Sequence, residues 1–183
     1  AADICMIDKI PELLEAGIQV FKIEGRGRAP EYVEIVTRAY KHALQDVANG
    51  TYTKEKIETY FEQLKTVYNR GQSHGNYYLG QELDAYSDVK GSKATKEKVA
   101  IGTVHNYFPK AGVAQILLHA EGLGIGDEIK IIGATTGVYS ATITELRDAE
   151  ERPITQAKKG DIITIPVSER VRANDQVYLW VDK

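Results

Sequence analysis

With 183 residues, 43% of them hydrophobic, the chain is long enough for one or two domains, each with its own core. A formal net charge of −3 gives no general pull toward nucleic acid, and a single cysteine excludes an internal disulfide and fits a reducing, cytoplasmic setting. No apolar stretch approaches the roughly 18 residues of a membrane helix, and the amino terminus lacks the basic-then-apolar pattern of a secretion signal.

The first element in chain order is a short helix with Asp8 as N-cap, Pro11 in its first turn and Gly17 as its stop. Residues 18–23 read as a strand. A second helix is expected over residues 30–48, where Tyr32, Ile35, Val36, Ala39, Tyr40, Ala43, Leu44 and Val47 recur at helical spacing. Helix, strand, helix is the repeating unit of a parallel sheet, and a parallel strand needs neighbours on both sides. No second strand of that kind precedes residue 98. Thr53 then caps a third helix, with Ile57, Tyr60, Phe61, Leu64, Val67 and Tyr68 as its apolar stripe, ending near Asn69-Arg70-Gly71. Residues 1–70 are therefore expected to be the end of an α/β barrel of the TIM type, whose orphan strand pairs with a missing amino-terminal barrel portion or with a second copy in a homodimer.

Residues 71–97, rich in Gly, Ser, Asp, Lys and Tyr without a sustained period, read as a linker. From residue 98 the pattern changes. Strands are expected over residues 99–104, 112–119, 128–132, 137–147, 161–167 and 176–181, separated by Gly-Asp, Thr-Thr-Gly, Lys-Gly-Asp and Asn-Asp turns. Six strands with no helix between them predict a small closed β-barrel over residues 98–183, with a sandwich as the other architecture. The fold class expected is α+β: a helix–strand–helix–helix remnant of an α/β barrel, then a small all-β barrel.

Lys22, Glu24 and Arg26 alternate along the expected strand, so their side chains would share one face at its carboxyl end, where α/β barrels place their active sites. Such a trio binds a carboxylate or phosphate and positions an acid–base group, or else it plugs the barrel end as ion pairs; the catalytic reading is preferred because three buried charges are costly. Cys5, the only thiol, reads first as a small buried hydrophobe. His74 lies in a glycine-rich stretch with Arg70 and Tyr77, which would contact an anion or stack on a base, although a plain linker is the simpler reading. Arg26, Arg28, Arg38, Lys41 and Arg70 are the basic groups available for a patch at the barrel mouth. Residues 105–110 read as a hairpin tip whose exposed aromatics, Tyr107 among them, would meet a partner. His42, His105 and His119 show no metal-binding spacing.

Asp3-Ile4-Cys5-Met6-Ile7-Asp8, Ile10-Pro11-Glu12-Leu13, Ala16-Gly17, Phe21-Lys22-Ile23-Glu24-Gly25-Arg26 and Tyr32-Val33 closely resemble a signature of the collagenase-like peptidases, family U-32 of the peptidases of unassigned mechanism. Asn69-Arg70-Gly71, Lys159-Gly160-Asp161 and Asn174-Asp175-Gln176-Val177-Tyr178 resemble the same family's carboxyl-terminal region. That resemblance implies a modified α/β barrel followed by a small β-barrel domain, with the strand through Lys22 and Glu24 as the last barrel strand. Residues 113–121, 126–133 and 157–161 resemble the second domain of elongation factor Tu more weakly.

Some branches of the family resemble iron–sulfur proteins with four cysteines, the last in an Asp-x-Cys context like Asp3-Ile4-Cys5. By that resemblance Cys5 would ligate an iron–sulfur cluster or zinc in a longer protein, with no cofactor held by these residues alone. The resemblance implies a collagenase-like protease whose β-barrel binds substrate or partner, this stretch being catalytically inert by itself: no Ser–His–Asp arrangement, metal motif or carboxylate dyad is legible. The alternative it implies is part of an enzyme that hydroxylates transfer or ribosomal RNA; a third reading is a dimerisation scaffold. The expected substrate is accordingly a peptide or an RNA.

Overall fold

A computed structural model describes residues 2–75 and 90–183. The chain divides into two compact units, Ala1–Thr95 and Lys96–Lys183. Within the stretch expected as a linker, Lys93 and Thr95 donate their backbone N–H groups to the carbonyls of Asn69 and Lys65, residues 76–89 lie outside the described residues, and the next strand begins at Lys96.

In the first unit β1 (Asp3–Ile4) leads through a 3-10 turn to α1 (Ile10–Glu15), followed by α2 (Pro30–Ala48), α3 (Lys54–Lys65) and β2 (Gln72–Ser73). Lys9, not Asp8, is the N-cap of α1, because the turn Ile7–Lys9 takes up the residues before it. The start of α2 has Pro30 in its first turn after an extended Ala29, and Gly50 follows its C-cap at φ 68°. Thr53 caps α3 as expected, accepting from the Lys56 N–H. Ile7, Ile10, Val36, Ala39, Ala43, Tyr60, Leu64 and Val67 form the buried interior. Small side chains at Ala39 and Ala43, one turn apart on α2 and both fully buried, leave room for neighbours to approach closely.

The expected strand over residues 18–23 is not formed. Residues 18–25 carry no strand pairing, and Val20 is 82% exposed. Without flanking strands the backbone N–H and C=O groups of this segment have no ladder to join, and its alternation does not suffice. The parallel pairing present is instead β1 with β2, Asp3 opposite Gln72 and Ile4 opposite Ser73, neither of which the sequence pattern marked as a strand.

Clamped α2 and α3 carry a pH-sensitive contact. Asp46 accepts hydrogen bonds from Lys56, Tyr60 and Thr51, and Lys56 foremost holds its carboxyl down to about 2. A carboxyl depressed on folding stabilises above its ordinary value, and that contribution is lost as pH falls toward 2. Thermal unfolding followed by helical circular dichroism is therefore expected to weaken between pH 4 and pH 2, with a shallower fall in Asp46→Asn. Identical pH profiles for the two proteins would remove Asp46 from the account.

The second unit contains all six expected strands, as β3 (Lys96–Phe108), β4 (Val113–Leu118), β6 (Glu128–Gly133), β7 (Gly137–Thr142), β9 (Ile162–Pro166) and β10 (Gln176–Asp182), with a short ribbon of β5 (Leu123–Gly124) and β8 (Gln156–Ala157). All neighbours are antiparallel, in the order β7-β6-β10-β3-β4-β9. The closed barrel expected from the pattern is not formed: among the described residues the sheet runs open from β7 to β9. It curls by register shifts between Val104 and Asn106 on β3 and between Val177 and Tyr178 on β10. Gly102 permits a close approach of backbone to backbone, since a Cβ there would sit 2.3 Å from the Leu117 carbonyl oxygen. One core fills the inside of the curl, from Ile101, Ile116, Ile131, Ile163 and Val177, with Leu123, Ile143, Leu146 and Val171 from the ribbon and loops. Alternation along β4, where Ala114, Ile116 and Leu118 point inward and their neighbours outward, shows why the period-two pattern was legible.

Candidate functional site

A polar constellation gathers in the first unit where β1 meets β2. The parallel pairing, with Asp3 N–H donating to the Gly71 carbonyl at 2.8 Å, sets the Asp3 carboxylate against the chain at Arg70. Asp3 Oδ2 accepts from the Arg70 backbone N–H at 2.8 Å, and Oδ1 accepts from Arg70 Nη2 at 2.7 Å and Nε at 3.2 Å. Arg28, entering from just before α2, brings Nη2 to 3.8 Å from the same oxygen. Its guanidinium lies 3.9 Å above the Tyr68 ring and 5.5 Å from that of Tyr32. Two guanidiniums on one carboxylate leave a net positive charge of one, and planar stacking fixes where it points.

Further along the same segment, His74 Nε2 lies 2.9 Å and 3.1 Å from the two oxygens of Asp8. Cys5, between Asp3 and Asp8 in the chain, is buried, and its N–H donates to the Ser73 carbonyl at 2.8 Å. Its sulfur accepts from the Tyr40 hydroxyl at 3.7 Å, and that hydroxyl in turn accepts from the Met6 N–H at 2.9 Å. Burial pushes the Cys5 thiol above its ordinary value, against smaller opposing contributions from hydrogen bonds to Ile7 and Tyr40. Burial likewise pushes up the phenols of Tyr40 and of Tyr52, the latter to about 12; Tyr52 donates to the Ile7 carbonyl. A thiol held in its neutral form is a poor nucleophile.

The structure thus brings Arg28 and Arg70 together on Asp3 and sets His74 on Asp8, at the two ends of the segment that holds Cys5. Lys22, Glu24 and Arg26 lie apart from them, exposed on the segment without secondary structure, where Glu24 accepts from the Arg26 N–H at 2.7 Å. Tyr77 is outside the described residues. In the second unit Tyr107 packs against the core, and Phe108 beside it is the aromatic that faces outward, 40% exposed. The hairpin tip lies after Phe108, because β3 continues through His105 and Asn106. Among the described residues no three His, Cys, Asp or Glu side chains are grouped to hold a metal ion. Asp3 and Asp8 escaped recognition as site residues because their partners are 67 and 66 positions away, respectively; only the adjoining Cys5 drew attention to the segment.

Residues 1–87 match peptidase family U32. The chain belongs to peptidase family U32. It is similar to a collagenase of Porphyromonas gingivalis, 46% identical over 176 residues that make up 96% of this chain and 42% of the relative, so it spans under half of that protein's length. A shorter match, 38% identical over 66 residues, joins 36% of the chain to 21% of the tRNA hydroxylation protein P2 of Bacillus subtilis. Among solved structures, the C-terminal domain of a candidate U32 peptidase from Geobacillus thermoleovorans is 18% identical over 44% of this chain and 90% of that domain, with a TM-score of 0.42. No helix of the described residues is long and apolar enough to cross a membrane.

Proposed function

We propose that this chain is the substrate- or partner-binding part of a collagenase-like U32 peptidase, and that it is catalytically incomplete by itself. The observation that carries the reading is the state of Cys5: a buried thiol with its pKa raised, whose side-chain hydrogen-bond partner among the described residues is the Tyr40 phenol rather than a base. Similarity along 96% of the chain to a protein named collagenase supports the substrate class. Under this reading Arg28 and Arg70 position a carboxylate or phosphate group, and Lys22, Glu24 and Arg26, exposed in this chain, take a catalytic part only beside further residues of the longer protein.

A second reading is favoured by the likeness to the tRNA hydroxylation protein: part of an RNA-hydroxylating enzyme, in which Cys5 is one ligand of a cluster completed by other residues. Incubation of the chain with gelatin at neutral pH, and retention on immobilised gelatin against unmodified tRNA, separates the two. The expected result is retention on gelatin without cleavage, unchanged in Cys5→Ala. Gelatin cleavage abolished in Cys5→Ala would refute the incompleteness of the chain, and preferential retention on tRNA would transfer the assignment to the RNA-modifying reading.

A further inference from the structure

At the far end of the β3–β4 hairpin the second unit carries a groove of about 600 Å³, within the range of roughly 300–1,000 Å³ typical of ligand pockets. Register explains its composition. Phe108 pairs with Val113, Val113 with Pro166, and Gln115 with Thr164, so Phe108, Val113 and Thr164 lie on the outward face, while Tyr107, Ala114 and Ile165 turn to the core. Pro109 extends the apolar floor and Lys110 stands exposed at its rim. Arg147 closes the other side, its guanidinium held by Glu145 at 2.6 Å from Nε and by the Glu151 carbonyl at 3.0 Å from Nη1.

The groove runs beside β9, the edge of the sheet, which suggests capture of a peptide by strand addition. Backbone bonding rules that mode out here. The N–H of Thr164 donates to the Arg147 carbonyl at 3.0 Å and its carbonyl accepts from the Arg147 N–H at 3.1 Å, while Pro166 has no N–H to offer. A ligand in this groove is therefore gripped by side chains rather than by a ladder. Flat apolar surface from Phe108 and Pro109, with cationic donors at both rims, matches a polyproline-II peptide: its rings need apolar slots, and its carbonyls, unpaired within the peptide, accept from Lys110 and the prefixed Arg147.

We propose that this groove binds an extended, proline-containing segment of a peptide substrate. The inference rests on the peptidase reading and places its peptide-docking surface. The test is fluorescence anisotropy of the whole chain with a labelled single-stranded Gly-Pro-Pro peptide of about twelve residues and a Gly-Ser peptide of equal length. Phe108→Ala, Lys110→Ala and the surface control Ile125→Ala are compared after thermal melts confirm that each is folded.

The proline peptide is expected to bind and the Gly-Ser peptide to bind at least tenfold more weakly. Phe108→Ala should weaken binding about tenfold and Lys110→Ala about threefold, with Ile125→Ala unchanged. Equal affinity for both peptides, no binding up to millimolar concentration, or Phe108→Ala behaving as the parent would each overturn the groove assignment. Self-association of the parent that Phe108→Ala abolishes would overturn it in favour of a second copy as occupant. Retention on gelatin, measured on the same proteins, separates the two failures: if it survives in Phe108→Ala the peptidase reading stands without this groove, and if the parent shows none the reading itself falls.

Discussion

Gly133→Ala is expected to destabilise the second unit by roughly 2–4 kcal/mol, from overpacking and the hydrogen bonds it would break. A Cβ built at this last residue of β6 lies 1.7 Å from Asp175 Oδ1 and 2.4 Å from its carboxyl carbon. Asp175 cannot swing aside cheaply. It is buried, its carboxylate accepts from the Arg172 N–H at 2.8 Å and from the Thr136 hydroxyl, and its carbonyl accepts from Val104 N–H at 2.9 Å. The turn that delivers it into β10 also places Asn174 at φ 71°, so the backbone there has little slack. For a domain of this size the loss corresponds to a fall in Tm on the order of 10–25 °C. Thermal unfolding followed by the fluorescence of Trp180, the chain's single tryptophan and a residue of β10, measures it. A Tm within about 2 °C of the parent would show that Asp175 yields, and that its carboxylate does not tie the 133–137 turn to the start of β10.

The second large effect belongs to the first unit. Asp3→Ala removes the acceptor of three hydrogen bonds from Arg70, one of them from its backbone N–H, and leaves the guanidiniums of Arg28 and Arg70 without the carboxylate between them. Hydrogen bonds to a charged acceptor contribute roughly 1.5–3 kcal/mol, but the Arg70 side chain is 41% exposed and water screens part of its share. A net loss of about 2 kcal/mol is expected, concentrated on the β1–β2 pairing, which two residues on each strand sustain. Limited proteolysis should then cut near residues 2–5 or 70–73 faster than in the parent, while the Trp180 transition stays put. Sulfate should restore part of the loss, because an anion can take the place of the missing carboxylate between two guanidiniums. Unchanged proteolysis, or protection indifferent to sulfate, would mean that Asp3 neither holds the strand nor neutralises the pair.

The extents of α2 and the cap of α3 were readable because their signals are local: Pro30 in a first turn, Asn49-Gly50 at a stop, Thr53 ahead of an amphipathic run. The six main strands were readable for the same reason, since alternation and turn chemistry act over a few residues, and Gly137 at φ 73° lies where Thr-Thr-Gly marked a reversal. Resemblance carried by the segment from Asp3 to Arg26 reached the family, to which the chain belongs. The site was legible only as types: Arg28, Arg70 and His74 were marked as candidates, without the carboxylates they face.

What the linear order of residues could not decide was pairing. Residues 18–23 alternate like a strand, yet a strand exists only where another offers its N–H and C=O groups, and Asp3–Ile4, with no period to show, is a strand because Gln72–Ser73 lies beside it. Closure of the sheet depended likewise on whether β7 and β9 meet, a matter of accumulated twist and of the two bulges rather than of any one strand's composition. Asp3 with Arg70 and Asp8 with His74 are contacts across more than sixty residues, and Phe108 rather than Tyr107 faces the groove because register along β3 sends alternate side chains to opposite faces. Helix ends, turns and strand alternation are short-range chemistry that any stretch of chain carries with it, whereas pairing, sheet closure and the company a charged side chain keeps are set by long-range packing.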